Sequence, residues 1–168
     1  DVLGSRGLGD VYKRQEYGVP DYKARICAAF SQGVVGKAIA MASSEDFNDL
    51  QYHVLSIVKN IHEMDIYEVV EAVKRLSVYK TDINDVIDMM MVWYRDVLVL
   101  KVTKDANAIV YKDEYRFLME QAKRSSYEGL NDIIQALEKA KARLAANVNF
   151  EVAVEMLSLI HISEPPRP

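Results

Sequence analysis

One cysteine, Cys27, stands in 168 residues. A lone thiol can close no intramolecular disulfide and build no cysteine-based zinc site, and it fits a reducing compartment, so the expected location is the cytoplasm. Long hydrophobic runs are also lacking. The longest, residues 89–94 resuming at 97–100, is broken by Arg95 and Asp96, and nothing approaches the ~20 apolar residues that span a bilayer. There is no excess of positive charge either. The formal net charge is −4, which argues against a chain held to nucleic acid by its own net charge and leaves only local basic patches for that purpose. Apolar residues are plentiful, at 50%. A chain of this length and composition can bury one core, as one domain or one domain with a piece of another.

The two ends read differently from the middle. Residues 7–15 are GLGDVYKRQ and residues 157–165 are LSLIHISEP. These two unrelated peptides can be encoded by complementary strands of one oligonucleotide, and they resemble translated sequencing-adapter sequence. Residues 1–15 and 157–168 are therefore expected to be non-native and are set aside from fold reasoning. The body between them carries a net charge of −5 and is expected to be part of a longer protein.

Nearly every stretch of the body has helical period. Pro20 opens DYKARICAAF as a helix with proline in its first turn, and Ser31, Gln32 and Gly33 end it. A short helix follows over residues 34–42. Ser43 with Asp46 reads as a helix start, and the helix it opens aligns Phe47, Leu50, Val54, Leu55, Val58 and Ile61 on one face. Asp65 with Glu68 starts another, and Asp82 with Asp85 a third. Over residues 86–100 this last helix is apolar almost all round, which predicts the central, most buried element. Residues 103–111 read as a polar loop, with a strand-like turn at residues 109–111. A helix over residues 113–123 turns Tyr115, Leu118 and Ala122 inward. Ser125 with Glu128 then caps a helix striped by Leu130, Ile133, Ile134, Leu137, Lys141 and Leu144, and Asn149 caps a final FEVAVEML helix. No repeat emerges that would indicate a solenoid. The expected fold class is all-α, with the small-residue-rich segment 16–42 separated from a bulkier bundle, 43–156, at Ser43–Ser44.

Each motif that invites chemistry has a plainer explanation. Gly33 to Ala38 (GVVGKA) lacks the spacing and the hydroxyl of a phosphate loop, so its glycines read as a tight turn and close helix packing. His53 and His62 fall on opposite faces of one helix and cannot share a metal; they read as surface histidines. Asp82, Asp85 and Asp88 form a DxxDxxD ladder that suits capping and the positive helix end better than magnesium. Lys101, Lys104, Lys112, Arg116, Lys123 and Arg124 read as a solvated face, with a DNA-backbone or partner surface as the alternative. Trp93, Tyr94 and Arg95 form the most distinctive string. The aromatics suit a core, Arg95 with Asp96 a polar break, and the three together are the candidate partner interface. No catalytic, cofactor-binding or metal-binding residue is expected in this segment.

Three strings in order, AAFSQGVVGKAIAMASS, WYRDVLVLK and SSYEGLNDIIQALEKAKARLAANVNFEVAVEML, resemble the C-terminal part of bacterial DNA polymerase III delta-prime subunits, members of the clamp-loader family. The resemblance covers residues 16–156. It implies the end of a helical lid domain over residues 16–42 and a helical collar over 43–156 that joins subunits into a ring. It further implies participation in loading the sliding clamp onto primed DNA, within a DNA-directed DNA polymerase holoenzyme whose ATP hydrolysis is done by sister subunits. Where ATPase members of the family carry a nucleotide-sensing lid arginine, this sequence has Gly36, with Lys37 beside it, which suits the inactive delta-prime type. Two alternatives stay open: the collar of the gamma/tau ATPase, and a free-standing helical adaptor. A magnesium enzyme built on the Asp82 ladder is a third and less economical one.

Overall fold

A computed structural model describes residues 20–31, 34–65, 67–68, 71–72, 75 and 83–144. Among them lie six α-helices and no strand: α1 (Asp21–Phe30), α2 (Val35–Ser43), α3 (Glu45–Asn60), α4 (Ile83–Thr103), α5 (Tyr115–Arg124) and α6 (Tyr127–Leu144). One 3-10 turn, Lys112–Glu114, leads into α5. The fold class is all-α, as the periodicity predicts. The expected Asn149 cap and final helix lie outside the described residues, as do Asp82 and both terminal segments.

The predicted face of α3 is buried throughout: Phe47, Leu50, Val54, Leu55 and Val58 within the helix and Ile61 just beyond it. In α2, Ala38, Met41 and Ala42 recur at spacings of three and four and turn inward. On α1, Ala24, Ile26, Cys27 and Phe30 are buried, and Phe30 meets the Phe47 ring edge-on at 6.2 Å. Pro20 stands one residue before α1 rather than in its first turn, its carbonyl accepting from Ala24 N–H at 3.0 Å. The link between α2 and α3 falls at Ser43–Ser44. The two sides of that link nevertheless share one core, because α1 touches α4 and the buried side chains form a single cluster from Ile26 to Ala140.

Helix α4 is the hub. Its 21 residues make a rod of about 31 Å that packs against α1, α3, α5 and α6. Val86, Met89, Met90, Trp93, Tyr94, Asp96, Val97 and Leu100 are wholly enclosed. It stops at Thr103, where Lys104 takes a left-handed φ of 57° and its N–H reaches back to the Leu100 carbonyl at 3.0 Å. That conformation usually falls to glycine. The chain then turns through Asp105, whose carboxylate accepts from Asn107 N–H at 2.8 Å, and brings Ile109 and Tyr111 back into the core.

Two helix starts lie one residue later than the spacing suggests. Ser44, not Ser43, caps α3, accepting from Phe47 N–H at 3.1 Å, while the Ser43 hydroxyl donates back to the Ile39 carbonyl at the end of α2. Likewise Ser126, not Ser125, accepts from Gly129 N–H at 2.9 Å, and buried Ser125 closes α5. In each serine pair the first residue ends one helix and the second starts the next. The Asp65–Glu68 capping box is present as read, with Asp65 N–H donating to Glu68 at 2.9 Å and Glu68 N–H to Asp65 at 2.8 Å.

Candidate functional site

The central string of α4 divides by environment. Trp93 and Tyr94 have no exposed surface. Trp93 donates its indole N–H to Gln121 Oε1 of α5 at 2.6 Å and lies 5.9 Å from the Tyr111 ring. In the folded chain only Arg95 of the three is placed to reach another molecule, since its side chain is 52% exposed. Asp96 does not interrupt the buried face. It lies on the buried stripe with Trp93 and Leu100 and is fully enclosed.

A buried carboxylate needs donors, and the loop after α4 supplies them. Asp96 Oδ2 accepts from Val110 N–H at 2.8 Å and from Tyr111 N–H at 2.9 Å. Its Oδ1 accepts from Arg95 Nη1 at 2.8 Å. Burial pushes the Asp96 carboxyl above its ordinary range, while the two backbone N–H groups and Arg95 pull it down. Burial also raises the Tyr111 phenol, and the Asp96 and Glu114 charges add to that shift. Asp96 therefore does two things at once: it pins the returning loop to α4 and fixes the guanidinium of Arg95.

Arg95 borders a groove of about 390 Å³ between α1, α4 and α6. Ala29 and Phe30 of α1, Met91, Val92 and Leu98 of α4, and Ile134 of α6 form its apolar lining, and Asp88 lines it with Arg95. Asp88 does not cap α4. It pairs with Lys141, the polar member of the predicted α6 stripe, which leaves that acidic position neutralised.

The other candidates are dispersed. His62 lies beyond the end of α3 and is buried rather than on the surface, its Nδ1 2.7 Å from Arg124 Nη2. His53 stays on α3 against the Tyr52 ring. Gly36 is open to solvent, with nothing within 4 Å of where a Cβ would stand, so close packing does not explain it. The basic residues differ in their surroundings. Lys101 donates to the Ala122 carbonyl at 3.0 Å and sits over the Tyr127 ring. Arg124 turns to His62, and Lys104, Arg116 and Lys123 remain exposed. Among the described residues no group of histidine, cysteine and carboxylate side chains is arranged to hold a metal ion, and no helix is long and apolar enough to cross a membrane. Sequence reasoning missed Gln121 as a core residue. Its position three after Leu118 and next to Ala122 was the available signal.

What these features define is an all-helical bundle with an enclosed central helix and an apolar groove bordered by Arg95. Residues 53–162 match the family described as DNA polymerase III, delta subunit, C terminal, and the chain belongs to that family, a clamp-loader-related one. It is 24% identical over 148 residues to the DNA polymerase III subunit delta′ of Bacillus subtilis (strain 168), across 86% of this chain and 44% of that protein. The chain thus spans less than half the length of that relative. No solved structure matches it.

Proposed function

We propose that this chain is the C-terminal part of a delta-prime-type clamp-loader subunit whose role is to assemble with its neighbours. In this reading residues 16–42 are the end of the lid and 43–156 the collar, and the whole subunit works in the cytoplasm. The segment carries no catalytic residue or cofactor of its own. Sister subunits join it in a ring, and the sliding clamp and primed DNA are met through the whole complex. The family match over residues 53–162, which takes in most of the segment read as the collar, is the observation that carries this reading. The build of the bundle supports it. A hub helix buried on several sides, with Trp93 and Asp96 hydrogen-bonded inside the bundle, makes a stiff body against which other domains can move.

The test is reconstitution of the full-length subunit that carries this segment with its sister subunits, read by mass photometry. Removing residues 43–156 should abolish entry into the ring. A ring that forms equally well without them would overturn the assembly role.

A further inference from the structure

We propose that the groove between α1, α4 and α6 receives an amphipathic helix of a neighbouring subunit, with aliphatic side chains entering the groove and a carboxylate meeting Arg95. The inference rests on the assembly reading and specifies the surface and the partner chemistry. Phe30, Met91, Val92, Leu98 and Ile134 give the groove an apolar lining, and at about 390 Å³ it lies in the size range of pockets that bind ligands. Methionine in the wall suits it to side chains of different shape.

Charge decides the sign of the partner. Asp88 is neutralised by Lys141. Asp96, which compensates Arg95, is wholly enclosed and cannot contact anything outside the chain. What the groove presents outward is therefore a guanidinium. Only its Nη1 is committed to Asp96, at 2.8 Å, and the planar fork keeps further N–H donors for a second carboxylate. Asp96 is itself held by two backbone N–H groups, so Arg95 is positioned before any partner arrives and loses little side-chain freedom on binding. A basic helix would set like charges against each other, and a wholly apolar one would strip water from the guanidinium without replacing it.

The experiment uses the full-length subunit in the reconstituted complex. Arg95→Glu should weaken its association with the ring by about tenfold or more, as a reversed charge at a desolvated contact does, and Arg95→Lys should weaken it less. Thermal melting of each free variant checks that the fold is kept. If Arg95→Glu melts early, Val92→Arg, at a partly buried position on the groove wall, provides the second reading and should give the same loss of association. A photo-crosslinker at position 98 should capture an aliphatic helix position of a sister subunit with Asp or Glu within one turn. Unchanged association of folded Arg95→Glu, or capture of this chain's own residues or of a basic segment, overturns the groove proposal. Those results would leave assembly intact if deletion of 43–156 still abolishes the ring. If the deletion has no effect, it is the assembly reading that fails.

Discussion

Replacing Asp96 by asparagine keeps the shape of the buried side chain and removes its charge. The amide oxygen can still accept from the Val110 and Tyr111 N–H groups, which now lie 2.8 and 2.9 Å from Oδ2. Each of those bonds passes from charge-assisted to neutral, a loss of about 1 kcal/mol apiece. The amide NH2 would then face Arg95 Nη1, donor against donor. Relief of the buried charge works against these losses, and because burial is the largest influence on the carboxyl the expected net loss at neutral pH is small, about 1 kcal/mol or less. Asp96→Ala is more severe. It leaves two buried N–H groups without an acceptor and opens a cavity, for an expected loss of about 3–5 kcal/mol.

The same pair separates burial from hydrogen bonding as the dominant influence on the carboxyl. Asp96 titrates above its ordinary value in the folded chain, so the native state holds this proton more tightly than the unfolded chain, where the pKa is ~3.9. Its contribution to stability is then fully present below that value and falls as pH rises through the raised native pKa. The wild-type advantage over Asp96→Asn, which cannot titrate there, should shrink across that window. The assay is urea unfolding followed by Trp93, the one tryptophan in the chain, over a pH series. An advantage that widens with pH would refute the reasoning, because it would mean that the N–H donors and Arg95 outweigh burial. An alanine variant no weaker than asparagine would refute the role of Asp96 in pinning the loop.

Two further substitutions test neighbouring claims. Gln121→Leu removes the acceptor of the buried Trp93 indole N–H and should cost about 1–3 kcal/mol, and Gln121→Glu, which keeps an acceptor oxygen but encloses a carboxylate at a buried position, should cost no less at neutral pH; urea midpoints by circular dichroism decide it. Ser44→Ala should cost about 1 kcal/mol through loss of the α3 cap. Ser43→Ala, which removes only an exposed bond back to Ile39, should be close to neutral, and equal losses for the two serines would contradict the assignment of the cap.

Helix existence and the inward faces were readable because they depend on residues three and four apart. The stripe from Phe47 to Ile61 and the enclosure of α4 needed nothing else. The serine pairs show the limit of local signals. Ser43 with Asp46 and Ser44 with Phe47 N–H differ by one residue, and only the path of the preceding helix decides which hydroxyl is free to cap. Gly36 and His62 went astray for the opposite reason. The glycines of GVVGKA suggested close helix packing, but nothing stands within 4 Å of where a Cβ would lie at Gly36. His62, read as a surface histidine on the helix of His53, lies beyond the end of α3 and is buried beside Arg124, 62 residues away in sequence.

Arg95 and Asp96 carry the same lesson into the site. Adjacent charged residues in an apolar helix read as one interruption, because sequence alone assigns both to water. A helix turns ~100° per residue, so neighbours can face different surroundings. Here the loop at Val110 and Tyr111 supplies the donors that make burial of Asp96 tolerable. That pairing spans 14 and 15 residues and has no periodic signature. Once it forms, the buried member ceases to be a break and becomes the anchor of the exposed one. The cation at the groove owes its fixed geometry to a loop closed on the other residue of the pair, which is why a core substitution at Asp96 and a surface substitution at Arg95 test one arrangement from two sides.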